Sequence, residues 1–187
     1  MARELSAATL PRTVRFVAFA DEEPPFFYTG EMASRVYAAQ CRQRGEQIVA
    51  MLSLEIIGFC TDAAGSQRYP FPFNLLYPDT GNSIGFVGNL SSRHLVRQAI
   101  DVFRRSTRFP SEGVATPGWI TSAHWLDHWS AWQEGYSAIM IADTALLRYQ
   151  HHHSSEDTPE RLDYARLARV VGGLAQVVKG FAGRGGG

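Results

Sequence analysis

The sequence predicts an α/β domain built on a largely parallel sheet. Short β-rich runs alternate with amphipathic helical patterns, the runs are apolar almost throughout, and acids stand in or at the end of two of them. Strands covered by helices on both faces read this way. At 187 residues, 45% hydrophobic and 19% charged, the chain has a single domain's length and enough apolar side chains to bury a core.

Residues 14–20 (Val-Arg-Phe-Val-Ala-Phe-Ala) read as a strand buried on both faces, ended by Asp21-Glu22-Glu23 and stopped by Pro24-Pro25. Over 32–45 the period becomes helical: Ala33, Val36, Tyr37 and Cys41 share a face, and Gly45 suits the C-cap. Residues 48–59 read as a second buried strand interrupted by Glu55, an acid that is costly there unless paired or bound to metal. Residues 61–82, rich in Pro, Gly, Asn and Asp, form a long surface excursion. A short strand follows at 84–88. Ser91 or Ser92 then caps a helix with Leu95, Val96, Ala99, Ile100 and Phe103 inward.

Residues 109–122 read as a loop leading to His124-Trp125-Leu126-Asp127-His128-Trp129, in which Asp127 is a candidate N-cap. The last strand is placed at 137–141 and a loop at 143–157. A final amphipathic helix carries Leu167, Val170, Val171, Leu174, Val177, Val178 and Phe181 inward. The expected organisation is one domain over 1–182 and a flexible glycine-rich tail at 183–187. There is no internal repeat.

Composition removes several functional classes. Eighteen basic and eighteen acidic residues cancel, which argues against a dedicated nucleic-acid binder or a polybasic membrane-surface protein. No apolar run approaches the ~20 residues that span a bilayer. Cys41 and Cys60 cannot make a disulfide framework and lack metal spacing, so both read as small buried hydrophobes. Residues 1–12 lack the pattern of a signal peptide, and the compartment is left open.

Chemistry gathers at the strand ends, where sites of α/β sheets form. Glu22 and Glu23 can divide labour, one gripping a divalent cation and the other taking a proton from water, or they can be a solvated strand end. Glu55 is either a ligand or a core acid satisfied by an arginine. His151-His152-His153 is an internal cluster: a source of a zinc-binding imidazole oriented by Asp157, or a polar surface loop. His124, Asp127 and His128 make a second polar group.

In this order, Asp21-Glu22-Glu23-Pro24-Pro25-Phe26-Phe27, Ser53-Leu54-Glu55-Ile56-Ile57-Gly58, Leu126-Asp127-His128 and His151-His152-His153-Ser154-Ser155-Glu156-Asp157 resemble four blocks of the zinc-dependent aminopeptidases that share a fold with glutaminyl cyclases. The resemblance covers nearly the whole chain. It implies a three-layer sandwich with a mostly parallel mixed sheet. It also implies hydrolysis of peptide N-termini with two zinc ions in the complete domain.

Carried over by position, Glu22 matches the general base, Glu23 and His153 ligands of one zinc, and Glu55 a ligand of the second. Asp127 and His128 match a polar pair near the substrate, with Leu126 where the family usually has serine. Gln150 and His152 also depart from the usual last loop. The family's upstream His-x-Asp and bridging Asp have no counterpart, so the resemblance is to the C-terminal part of a catalytic domain lacking its N-terminal strands. Activity of the chain alone is therefore doubtful. The alternatives are a non-catalytic truncated or degenerate relative, and a glutaminyl-peptide cyclotransferase. The implied partner is a peptide substrate. Aromatics around Phe26-Phe27, Phe71–Phe73 and Trp125–Trp132 suit either an apolar side-chain pocket or the core.

Overall fold

The computed structural model describes residues 1–117, 126–144 and 147–183. His124, Trp125, Ala145 and the 184–187 part of the expected tail lie outside them. The elements run α1 (Ala2–Leu5), α2 (Ala33–Gln43), β1 (Met51–Glu55), β2 (Ile84–Asn89), α3 (Arg93–Ser106), β3 (Ser111–Thr116), α4 (Asp127–Gln133), β4 (Ala138–Ala142) and α5 (Tyr164–Ala182). The four strands lie in the order β1-β4-β2-β3. β1 pairs with β4 and β2 with β3 in parallel, while β2 and β4 run antiparallel. The sheet is thus mixed and mostly parallel, as expected.

The strand period of two divides the side chains between two helical layers. Ile139 and Ile141 of β4, Ile84 and Phe86 of β2 and Leu52 of β1 pack on α3 and α5 through Phe103, Ile100, Val170 and Leu174. Ala138 and Met51 face the other way, onto Cys41 and Tyr37 of α2 and Ala131 and Trp132 of α4. Burial of a large aliphatic or aromatic side chain contributes about 1.5–3 kcal/mol, so the first, larger cluster dominates the stability. Two glycines let the layers close. A Cβ on Gly88 would lie 2.7 Å from Val96 Cγ2, and one on Gly173 would lie 2.5 Å from Phe103 Cε2.

Several elements depart from the sequence reading. Residues 13–20 belong to no strand, helix or turn, and Phe16 and Val17 are 55% and 45% exposed. Their anchors explain this. Arg12 N–H donates to the Ala182 carbonyl at the end of α5, and the Arg15 guanidinium pairs with Glu46 and donates to Tyr37 Oη. The segment is thereby tied to helices and not to a strand edge. The run at 48–59 yields only β1, because Ile56 takes φ 40° and ends the ladder.

The expected loop at 109–122 contains β3. Its Ser-Glu-Gly-Val-Ala-Thr sequence has little alternation, and among the described residues it is an edge strand held by β2 alone. Ser92 does occupy the N-cap of α3, but its hydroxyl accepts from the Ala138 N–H and not from its own helix. Leu126, not Asp127, is the N-cap of α4, which leaves the Asp127 carboxylate available at the helix start.

Candidate metal centre and catalytic base

β1 and β4 run in parallel and are paired Glu55 to Ala142, so their carboxyl ends share one edge of the sheet. Glu55 lies on the same side of β1 as Met51 and Ser53, facing α2 and α4. Asp127 opens α4 in that layer. Residues 21–23 arrive from the other flank. One carboxylate oxygen from each of Glu22, Glu55 and Asp127 lies within 4.8 Å of the other two.

This trio is electrostatically costly. Burial first, then the charges of Glu55, Asp127 and Glu23, push the Glu22 carboxyl up to about 7, while the Asp127 backbone N–H donates to it and pulls the other way. Burial likewise raises Glu55, against a 2.5 Å hydrogen bond from Ser53 Oγ, and raises Asp127. Among the described residues no arginine or lysine pairs with Glu55, so the core-acid alternative has no salt bridge behind it. Glu22 Oε1 and Asp127 Oδ1 are buried without a hydrogen-bond partner. Converging carboxylate oxygens with unused lone pairs are the donor set that a divalent cation satisfies.

Beside the trio, His153 Nε2 lies 3.0 Å from Glu23 Oε1, with both side chains more than half exposed. The His152 ring stacks on His153 at 3.9 Å between centroids, and burial lowers its pKa. His151 Nδ1 turns away to Glu156 at 2.9 Å. Imidazole and carboxylate at this separation match two corners of a tetrahedral zinc site, so the residues present fit the metal, with two donors from one pair and acids from the other.

Asp157 accepts a 2.8 Å hydrogen bond from Tyr149 Oη, its charge reaching His152. His128 is fully buried and packs edge-on to Trp132 at 4.6 Å, so of the predicted polar pair only Asp127 stands at the site.

Four backbone positions around this edge are left-handed: Asp21 (φ 59°), Ile56 (40°), Thr144 (74°) and His153 (60°). For a β-branched residue such as Ile56 that conformation is an outlier, and such positions concentrate at functional sites. Nothing in the sequence marks them. A buried polar brace behind the edge also escaped the sequence reading. Asp143 Oδ2 accepts from the Phe59 N–H, and the Asp143 N–H donates to the Ile56 carbonyl. Arg148, 7% exposed, donates to Gln67 Oε1 and to the Ser83 and Phe59 carbonyls. The only sequence signal was Asp143 standing at a strand end.

The comparisons with known proteins establish the family and the fold. The profile of a family described as Peptidase family M28 matches residues 1–178. A curated Escherichia coli protein, YfbL, is 41% identical over 167 residues, covering 88% of this chain and 51% of its own length. The chain therefore spans about half of that relative. Among solved structures, the LapA aminopeptidase of Legionella pneumophila superposes with a TM-score of 0.70 at 15% identity, over 95% of this chain and 42% of that one. BSAP, a zinc aminopeptidase from Bacillus subtilis, gives 0.68 at 16% identity, over 98% and 39%. At such identities these two establish the fold.

Proposed function

The chain belongs to peptidase family M28, and on that premise we propose that it supplies the base and metal-binding side chains for removing N-terminal residues from peptides, with zinc as cofactor. The observation that carries the reading is Glu22, a half-buried carboxyl raised to about 7 among Glu55 and Asp127 and next to the Glu23–His153 pair. A general base works best with a pKa near the working pH. The aminopeptidase structures with the same fold support both the reaction and the metal.

In this reading Glu23 and His153 hold one zinc, and Glu55 with Asp127 at its flank faces the second. Zinc, when bound, supplies the Lewis acidity that polarises the scissile carbonyl and makes water more acidic. Glu22 accepts the proton of the attacking water and returns it to the leaving amine, while the Asp127 N–H fixes its carboxylate. Just after residues 21–23, Phe27 meets Tyr28 with tilted rings at 4.3 Å between centroids, and Tyr28 meets Trp129 edge-on at 4.7 Å. They offer an apolar wall to a substrate side chain.

The test compares three forms, each carrying the family's upstream His-x-Asp segment, in excess zinc: the unsubstituted chain, Glu22→Gln and Glu23→Gln. Metal content is measured together with hydrolysis of leucine and arginine anilides. Glu22→Gln keeps its zinc and loses at least ~100-fold in turnover, the size of a general-base contribution. Glu23→Gln loses zinc. Equal zinc loss in both variants overturns the assignment.

A further inference from the structure

The long excursion between β1 and β2 carries a tongue that takes no part in the candidate site. Residues 69–78 (Tyr-Pro-Phe-Pro-Phe-Asn-Leu-Leu-Tyr-Pro) bear no charge, and a short 3-10 turn, Phe73–Leu75, folds them. Phe71, Leu76 and Leu75 are 80%, 74% and 71% exposed, more than any other large apolar side chain among the described residues. Apolar side chains scattered singly over a surface are ordinary, but a contiguous apolar group marks an interaction site. The root of the tongue is firmly placed. Tyr77 meets the Tyr69 and Phe73 rings at 5.4 and 6.3 Å, and its hydroxyl donates to the Gly113 carbonyl of β3.

α3 delivers its last turn to the same flank of the sheet. Arg104 donates to the Ser111 carbonyl at the start of β3 and stands 3.9 Å from Glu112, whose charge also reaches Tyr69 and Tyr77. Arg105 and Arg108 follow, exposed and without an ion pair among the described residues. Arg169 of α5 lies over the Phe109 ring at 5.5 Å, and Arg68 immediately precedes the tongue. Five arginines therefore stand here against three acids, Asp79, Asp101 and Glu112. The charges of the whole chain cancel, but those of this flank do not.

We propose that the tongue inserts into the surface of a lipid bilayer bearing anionic headgroups, with the arginines around its root meeting the phosphates. Backbone that enters lipid needs its N–H groups satisfied from within. Pro70, Pro72 and Pro78 have none, and those of residues 73–77 all donate to carbonyls inside the tongue. Tyr69 and Tyr77, half-buried at the root, are of the type that settles at headgroup level. Such a tongue lies on the membrane and does not span it, and no helix is long and apolar enough to cross one. A second copy fits less well, because a two-fold contact between tongues brings the arginines of both copies to one seam. Lipid phosphates answer that excess charge directly.

Flotation of the chain with phosphatidylcholine vesicles, with and without phosphatidylglycerol, tests this. The chain is expected to float with the anionic vesicles and to bind the neutral ones about 25-fold less tightly, from two net charges at about five-fold each. The triple variant Phe71→Ser, Leu75→Ser and Leu76→Ser binds both at least ~100-fold less tightly. Arg105→Gln with Arg108→Gln weakens binding to the anionic vesicles about 25-fold and leaves the neutral ones unchanged. All these side chains are exposed, so the urea midpoints stay at the wild-type value; if the triple variant falls below it, Phe71→Ser alone, weakened at least ~5-fold, decides. Equal binding to both vesicles, or a triple variant that floats like wild type, overturns the proposal. Wild type that floats with neither overturns it too, and sedimentation velocity then assigns the tongue to a second copy if the chain self-associates through it, or to a protein partner if the chain stays monomeric. Hydrolysis is not read, so the outcome is independent of the catalytic roles above.

Discussion

His153 reaches back across most of the chain to Glu23, bringing its Nε2 to 3.0 Å from the carboxylate Oε1. Two ligands each about 2.0–2.1 Å from one tetrahedral zinc stand roughly 3.3 Å apart, so this pair already stands close to the spacing that two ligands of one zinc would take. Glu23 owes its place to the turn after residues 13–20, His153 to a left-handed residue in the loop between β4 and α5. The pair is therefore a property of the tertiary fold.

The pair offers two protein donors where catalytic zinc normally has three. The isolated chain binds zinc weakly by calorimetry, and Glu23→Gln or His153→Ala weakens it at least ~10-fold further, the smaller effect known for loss of a mere supporting group. If both hold one ion, the double variant loses little more than either single one. Additive losses would place the two residues on separate ions.

Stability falls as the pH rises through the carboxylate cluster. Glu22 has its folded pKa raised from 4.5 to about 7, so between those values the folded chain binds more protons than the unfolded one. The neutral carboxyl's advantage is fully present below about 4.5 and lost by about 7. Discounted for a half-exposed group, the amount is about 1–2 kcal/mol. Glu22→Gln is then more stable than wild type by that amount in urea melts at pH 8 and about equal to it at pH 4.5. A wild-type advantage at pH 8 would refute the burial and repulsion ascribed to Glu22.

Arg148 braces the site from behind. Replacing it with Leu removes the donor to the Phe59 and Ser83 carbonyls, one of the two donors to Gln67 Oε1 (Thr144 Oγ1 is the other), and a positive charge near the buried Asp143. The expected loss is about 3 kcal/mol in chemical denaturation, with amides 56–60 exchanging faster. A loss under ~1 kcal/mol would mean that other groups carry the brace.

Gly173→Ala sets helix propensity against space. Alanine gains about 1 kcal/mol in a helix, but its Cβ would sit 2.5 and 2.8 Å from Phe103 ring carbons and 2.9 Å from Thr107 Cγ2. Overpacking costs about 1–3 kcal/mol, so the variant melts several degrees lower. A higher melting temperature would show that α3 and α5 can move apart freely.

Elements with a strong period could be read from the residues alone. The inward faces of α3 and α5 are the ones their apolar spacing marks, and β2 and β4 lie where short apolar runs place them. β3 was hidden because an edge strand needs few apolar residues and Ser111–Thr116 has almost none. Residues 13–20 misled in the opposite sense, since apolar content shows that a run can be covered, not that a neighbour pairs with it. At the site, Glu23 and His153 were singled out and lie together, whereas His128 looked polar and is core. The contact of Asp127 with Glu22 depends on where α4 starts against β1, which no spacing in the chain encodes.

The left-handed residues at Asp21, Ile56, Thr144 and His153 have a thermal consequence. Each sits about 1–3 kcal/mol above its relaxed alternatives and is retained only while the strands beside it hold firm. Warming gives those alternatives the advantage locally, well before the Phe103–Leu174 core lets go. Loops around the carboxylates will fray while helical circular dichroism is still native, and any turnover will fade several degrees below the melting midpoint. Heat loosens the carboxylate edge before it unfolds the core.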